Sequence, residues 1–152
     1  MESKVVIQPM PRCEFEALKL ILRLETIIPA DIDSVSPVVD RVMDLVRQMK
    51  CAAGKELEVE TALREALANA IVHGCKNDPS KNIQFCVACD ESRGMLIIVR
   101  SPGEGFDPAS IPNPTIGQNV YSAHGRGIFL INQLMDEVHF KGSGTEIHMR
   151  VK

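Results

Sequence analysis

The most informative segment of this chain is Glu65-Ala66-Leu67-Ala68-Asn69-Ala70-Ile71-Val72-His73-Gly74. It closes a helix that the apolar spacing predicts from near Lys55 to about His73, with Gly74 as the stop signal. At 100° per residue, one face of this helix gathers Val59, Leu63, Ala66, Leu67, Ala70 and Ile71. We expect that face to pack on a sheet.

The opposite side of this helix carries Glu65 and Asn69 one turn apart, so their side chains can contact the same object. Thr61, Ala68 and Val72 lie on the same side. This side is less polar than an ordinary solvated face, so another part of the molecule could cover it. On this helix alone, the favoured interpretation is that Glu65 and Asn69 are surface residues of an ordinary helix.

Outward from this helix, strand and helix patterns fill most of the chain. Strands are predicted at 15–28, 82–90, 94–100, 136–140 and 145–151, and further helices at about 36–50 and 127–131. Ser36-Pro37 is typical of an N-cap followed by proline at the first helical position. The pattern predicts an α+β fold, a two-layer α/β sandwich with helices on one face of a mixed, mostly antiparallel sheet. Residues 1–14 are expected to form a leader and residues 15–152 a single domain.

Residues 101–123 break the periodic pattern. They hold four of the nine prolines and three of the ten glycines. So long a stretch without periodicity is usually a functional lid or binding loop, or else it is disordered.

Three glycine pairs follow the helix in order: Gly103 and Gly105, Gly125 and Gly127, Gly142 and Gly144. Glycine lets the backbone approach a ligand closely. The second pair directly precedes a predicted helix, whose unpaired N–H groups could hold a phosphate chain at 125–128. A single pair is usually a turn, but the ordered series after Glu65 and Asn69 is hard to explain by turns.

The charge balance argues against two classes of partner. The chain carries 17 basic and 20 acidic residues, a net charge of −3. Binding of nucleic acid or an anionic membrane usually shows as a basic balance, so neither is favoured. No apolar run approaches the roughly 20 residues that span a bilayer. The start, Met1-Glu2-Ser3-Lys4, lacks the pattern of a signal peptide, and we expect a cytoplasmic protein.

The five cysteines are Cys13, Cys51, Cys75, Cys86 and Cys89. Their spacing matches no disulfide framework, so reduced thiols are expected. Cys86 and Cys89 form a CxxC within a predicted strand, where residues three apart point to opposite faces. No second CxxC completes a tetrahedral metal site, so ordinary packing is favoured over a metal or redox role.

Four of these motifs together resemble the GHKL superfamily of ATPases and kinases. Residues 65–74 are similar to its N-box, and Ser101 to Gly105 to its first glycine box. His124 to Gly127 and Gly142 to Thr145 are similar to the second and third. The short chain and Gly105-Phe106-Asp107-Pro108 most resemble the anti-sigma-factor serine/threonine kinase branch, and the fold implied is the Bergerat fold.

The resemblance implies ATP and Mg²⁺ as cofactors and assigns roles around the phosphates. Asn69 would reach the Mg²⁺ that bridges the phosphates, and Glu65 would be the general base for an attacking serine hydroxyl. Gly125 and Gly127 would offer backbone room and amides, and Arg126 would stabilise developing charge.

The remaining nucleotide-binding residues are implied in the same way. Gly103 and Gly105 belong to the first glycine box, and His73 and His124 would be neighbours of the phosphates. Phe106 would close over the nucleotide, at the start of a lid at about 106–124. Thr145 would form a hydrogen bond near the adenine, directly or through water.

Ser101 departs from the family pattern, which has an aspartate that accepts a hydrogen bond from the adenine amino group. A charged acceptor contributes more than a neutral one, so the change should cost on the order of 1 kcal/mol, roughly tenfold in affinity. It should also blur the choice of purine, because a hydroxyl can donate as well as accept.

Three functions remain open on the sequence. The first is an ATP-dependent serine/threonine protein kinase that acts on an anti-anti-sigma factor with a STAS fold and sequesters an RNA polymerase sigma factor. The second is a binding module of the same fold with weak or no ATP binding, which Ser101 favours. The third is a nucleotide hydrolase, or an unrelated α+β domain whose glycines are turns. The resemblance also implies a homodimer, in which the apolar strand at 15–28 could lie at the interface.

Overall fold

The computed structural model describes residues 20–102, 123–142 and 145–152, with the backbone alone for 123–126. The predicted leader therefore lies outside the described residues. The elements, in chain order, are β1 Leu20–Pro29, α1 Val35–Gln48, α2 Glu56–Asn69, β2 Asn82–Asp90, β3 Gly94–Arg100, α3 Ala123–Leu134, β4 Glu137–Lys141 and β5 Glu146–Val151. A 3₁₀ turn at Ile32–Ser34 precedes α1, and a π-helical turn at Ala70–Gly74 extends α2.

The five strands form one open sheet in the order β1-β2-β3-β5-β4. Each of the four strand pairings is antiparallel, and β3 lies at the centre. Alternate residues of β2, β3 and β5 point to the helices and are buried, among them Phe85, Ile97 and Met149. The apolar face predicted for α2 is buried with them, from Val59 to Ile71. The predicted α+β sandwich is thereby confirmed.

Two helix boundaries differ from the prediction. The first helix begins at Val35, so the proposed N-cap, Ser36, is already helical and accepts a hydrogen bond from Arg64 Nη1 at 3.0 Å. Pro37 still lies in the first turn, where its missing N–H costs nothing. The last helix begins at Ala123, four residues before the predicted start at Gly127, and it includes the end of the predicted lid.

The cysteines correct a second expectation. Cys51, in the turn after α1, forms a disulfide with Cys89 near the end of β2, across 38 positions of sequence. Cys86 points to the other face of the sheet, as its spacing from Cys89 predicts, and both Cys86 and Cys75 are buried and outside any disulfide. Sequence spacing gave no sign of this pair because only the tertiary fold brings a helix-end turn beside a strand end.

The turn between β2 and β3 leads to a prediction about acid stability. Asp90 accepts hydrogen bonds from Ser92 N at 2.9 Å and Arg93 Nη2 at 2.8 Å. The Arg93 guanidinium is the main reason that the pKa of Asp90 lies well below its usual range. A lowered folded-state pKa adds stability that is fully present above the unfolded pKa of about 3.9 and is lost progressively as the pH falls from there through the folded pKa.

We therefore expect Asp90→Asn to lower the free energy of unfolding at pH 7 and to lower it less at pH 3. Urea unfolding at both pH values measures this difference. Asp44→Asn, at an exposed site 3.8 Å from Arg47, makes the same charge change as a control. A pH-independent effect of Asp90→Asn would contradict the assignment.

Candidate functional site

A pocket opens between α2, α3 and the ends of β3 and β5. Its empty space is about 430 Å³, counting the open mouth, which is within the range of small-molecule sites. It is mostly apolar with a few polar groups, and its lining residues are Ala66, Asn69, Ala70, His73, Gly74, Val99, Ser101, Ile128, Phe140, Thr145 and Ile147. Four of the predicted site residues, Asn69, His73, Ser101 and Thr145, are therefore brought together.

Helix α3 covers the polar side of α2. A Cβ placed on Gly127 would lie 2.9 Å from Glu65 Oε2 and 3.1 Å from Asn69 Nδ2. Gly127 is buried, and Glu65 and Asn69 are each partly buried. The interpretation of Glu65 and Asn69 as ordinary surface residues is therefore wrong, and three predicted site residues meet at one point.

The amide of Asn69 is the unusual group at this point. Its Nδ2 atom is buried and has no hydrogen-bond partner within the part of the chain that the structure describes. Leaving a buried polar group unsatisfied costs about 1–3 kcal/mol. Because rotation about the last side-chain bond exchanges nitrogen and oxygen, the same amide can also present Oδ1 to a cation. A nucleotide with Mg²⁺, which prefers oxygen ligands, fits this group and the room left by Gly127.

Ser101 and Thr145 face the pocket from the ends of β3 and β5. The Ser101 backbone N–H donates to Thr145 O at 2.8 Å, and its hydroxyl donates to the same oxygen at 3.4 Å. The Thr145 hydroxyl donates to Gly142 O at 2.7 Å. The short Thr145 bond directs that hydroxyl to a carbonyl, so its oxygen can act toward a ligand as an acceptor, whereas the long Ser101 contact leaves its hydroxyl able to donate or accept.

The π-helical turn sets the wall opposite these hydroxyls. Cys75 N donates to Ala70 O at 2.8 Å, and such turns within helices are frequent at functional sites. The turn presses Gly74 against Ser101, so that a Cβ on Gly74 would lie 2.7 Å from Ser101 Cβ. Desolvation lowers the pKa of His73 from its usual range.

Some predicted site residues are not described at the level of side chains. Gly103, Gly105 and Phe106 lie outside the described residues, with most of the predicted lid. His124, Gly125 and Arg126 form the first turn of α3 by their backbone. The first turn of a helix lacks intrahelical partners for its N–H groups, and residues 123–126 begin the described part of α3. Gly127 follows them and leaves room beside Glu65 and Asn69.

The apolar wall of the pocket was not predicted from the sequence as part of a site. Val99 and Ile147 are paired across β3 and β5, and Ile128 and Phe140 come from α3 and β4. Alternation along the strands would have placed Val99 and Ile147 toward the helices. Nothing local marks Phe140 as a pocket residue, because its neighbours there come from elements far away in sequence.

Two other kinds of site, a cluster of metal ligands and a membrane-spanning helix, are absent from the described residues. No group of three or more His, Cys, Asp or Glu side chains in these ranges is placed to hold a metal ion. In the same ranges, every helix is too short or too polar to cross a membrane.

Comparison with known families agrees with this geometry. The histidine kinase-like ATPase domain matches residues 28–151, which is most of the chain. The chain belongs to the histidine kinase-like ATPase family. This membership confirms the GHKL resemblance, and the description of the family indicates ATP binding.

Relatives of the chain place it in one branch of that family. It is 30% identical over 115 residues to the anti-sigma F factor of Geobacillus thermodenitrificans, a match that covers 72% of this chain and 77% of the relative. It is 28% identical over 112 residues to the anti-sigma F factor of Anoxybacillus flavithermus, covering 69% and 73%. The anti-sigma F factor of Bacillus cytotoxicus is 32% identical over 98 residues, covering 60% and 66%. The predicted anti-sigma branch is thereby confirmed.

Proposed function

We propose that the chain is an anti-sigma regulatory factor: an ATP-dependent serine/threonine protein kinase that phosphorylates an anti-anti-sigma factor with a STAS fold and sequesters a sigma factor. One observation carries the nucleotide part of this proposal. The buried amide of Asn69 has no partner among the described residues, and it lies beside Glu65 under the bare backbone of Gly127. The names of the relatives support the anti-sigma part.

In this mechanism Glu65 accepts the proton of the attacking serine hydroxyl at a carboxylate oxygen. Asn69 would hold Mg²⁺, which when bound neutralises charge on the phosphates. The free amides at 123–126 would donate to phosphate oxygens, and the positive end of the α3 dipole favours their charge. His73 lines the same pocket and would offer a ring nitrogen for a hydrogen bond there.

The orientation of the Thr145 hydroxyl supports adenine as the base. This hydroxyl donates to a backbone carbonyl at 2.7 Å, which leaves its oxygen as an acceptor toward the pocket. The amino group of adenine is a donor, whereas the corresponding oxygen of guanine is an acceptor. The Ser101 hydroxyl makes a longer contact of 3.4 Å and can act as donor or acceptor. As a neutral acceptor it would bind the adenine amino group more weakly than a carboxylate would.

That weakness supports a second candidate function. A chain of this fold with a neutral acceptor at Ser101 could sequester a regulator and transfer phosphate weakly or not at all. The two functions predict different affinities for ATP and different fates of the STAS partner, so one binding series and one phosphorylation assay distinguish them.

The test is calorimetry of Mg²⁺-ATP with the wild-type chain, Ser101→Asp and Asn69→Ala. We expect micromolar binding by the wild type and about tenfold tighter binding by Ser101→Asp, because a charged acceptor replaces a neutral one. We expect Asn69→Ala to bind at least tenfold more weakly. Binding by Ser101→Asp alone would favour the binding module. If neither the wild type nor Ser101→Asp binds Mg²⁺-ATP, the assignment of the pocket is contradicted.

The protein partners need separate experiments. Incubation with Mg²⁺-ATP and a STAS-domain anti-anti-sigma protein should yield a phosphoserine or phosphothreonine on that protein, visible by mass spectrometry. We also propose a homodimer, for which the edge position of β1 and the half-exposed Ile27 are the structural support. Light scattering that gives the mass of one chain would contradict it.

A further inference from the structure

We propose that Cys51 and Cys89 form a thiol–disulfide exchange site that a dithiol reductant of the thioredoxin class opens. Its state would set how firmly the start of α2 is held to the sheet. The nucleotide pocket uses neither cysteine, so this inference does not depend on the proposed kinase activity.

The two cysteines differ in rigidity and access. Cys89 is 1% exposed and lies in β2 between Leu22 of β1 and Met95 of β3. Cys51 is partly exposed in the turn between α1 and α2. Their Cα atoms are 5.8 Å apart, a separation that a disulfide spans without backbone movement. The fold thus joins a fixed strand position to a position on an accessible turn.

A second pocket gives a reductant access to this pair. Both cysteines line it, and its empty space is about 930 Å³ with its open mouth. Its charged lining residues are Lys50, Lys55, Lys152, Asp90 and Glu91. Arg93 pairs with Asp90 at 2.8 Å, but Lys55 Nζ lies 4.0 Å from Asp136 and Glu91 is also in the lining, so the pocket carries charges of both signs. Lys50 directly precedes Cys51 in the chain, and a neighbouring cation favours the thiolate form of a cysteine.

The exchange proceeds in two balanced steps. A thiolate of the reductant attacks Cys51 Sγ, the accessible sulfur, and forms a mixed disulfide while Cys89 leaves as a thiolate and takes up a proton. The second thiol of the reductant then attacks its own sulfur in the mixed disulfide and releases Cys51. Two electrons pass from the dithiol, which becomes a disulfide, to the protein, which gains two thiols.

Reduction should loosen the turn and not the strand. Two thiol sulfurs separate to van der Waals contact, and Cys89 is held by ladders on both sides, so Cys51 must move. The turn can accommodate this, with Lys50 at φ 54° and Gly54 at φ 84°. It continues directly into α2, since Lys55 N donates to Ala52 O at 2.8 Å and Val59 N to Lys55 O at 3.0 Å.

Thiol counting tests the bond itself. The chain is equilibrated with oxidised glutathione or with reduced dithiothreitol, denatured, alkylated with iodoacetamide and weighed. We expect three labels on the oxidised chain, because two of the five cysteines are bonded, and five on the reduced chain. Five labels after oxidised glutathione would overturn the proposal, as would labels that remain at three with dithiothreitol.

Stability and hydrogen exchange test the consequence. A disulfide between cysteines 38 positions apart should raise the melting temperature on the order of 10 °C. Reduction of this disulfide should therefore lower the melting temperature by that amount. Amide exchange should rise at residues 49–60. Cys51→Ser should have the melting temperature of the reduced wild type, and reductant should not change it. Cys86→Ala, at a buried cysteine outside the disulfide, should still show a lower melting temperature after reduction. Equal melting temperatures of the oxidised and reduced wild type, or unchanged exchange at 49–60, would overturn the proposal.

Discussion

Replacing Glu65 with glutamine is expected to lower the rate of phosphotransfer by about 10²–10⁴-fold, while Mg²⁺-ATP binding changes little. The reason is chemical: an amide of the same shape cannot accept the proton of the serine hydroxyl, and general-base catalysis contributes that much. Glutamine keeps the contact of the side chain with Gly127, where Glu65 Oε2 lies 2.9 Å from a hypothetical Cβ. The fold and the pocket should therefore survive.

The measurement is the single-turnover rate of phosphorylation of the anti-anti-sigma protein that the wild-type chain modifies, with calorimetry for ATP. Glu58→Gln is the matched control, because it makes the same change in the first turn of the same helix, away from the pocket lining. A rate for Glu65→Gln close to that of Glu58→Gln would show that Glu65 is not the base. A parallel loss of ATP binding would indicate a positioning role instead.

Local periodicity was enough to predict most of the fold. The apolar face of α2 follows from the helix repeat alone, and the β2–β3 hairpin from alternation and a turn, so both agree with the structure. The small and apolar residues around Glu65 and Asn69 allow a cover, although the helix alone favours two surface residues. The residue that covers them, Gly127, was not predictable from the sequence, because this contact joins residues 58 or more positions apart.

The errors have a common cause, which is that tertiary contacts overruled local preferences. Glycine costs about 1 kcal/mol in a helix interior. This cost favours a helix that begins only at the end of His124-Gly125-Arg126-Gly127. The structure includes it in α3, where packing on α2 offsets that cost. The Cys51–Cys89 bond was missed for a similar reason, because no spacing rule connects a helix-end turn to a strand.

The contact between α3 and α2 makes Gly127→Ala the second prediction with a large effect. A methyl group there would lie 2.9 Å from Glu65 Oε2 and 3.1 Å from Asn69 Nδ2, distances that real Cβ contacts rarely show. Both neighbours are the ends of side chains, so they can move aside. Alanine is also the better helix former by about 1 kcal/mol. We therefore expect the melting temperature to stay the same or rise slightly.

Activity should respond in the opposite direction. The added methyl group must displace the carboxylate of Glu65 and the amide of Asn69, and a misplacement of about 1 Å can cost 10²-fold in rate. We expect phosphotransfer to fall about a hundredfold and Mg²⁺-ATP binding to weaken, in a chain at least as stable as the wild type. Gln133→Ala, exposed in the last turn of α3, serves as the control and should change neither property.

A Gly127→Ala chain with full activity would mean that these three residues do not act together. A chain that fails to fold would mean that α3 cannot yield at this contact. Stability retained with activity lost is the result expected if Gly127 is there to leave room for two functional side chains, because a purely structural glycine would give both or neither.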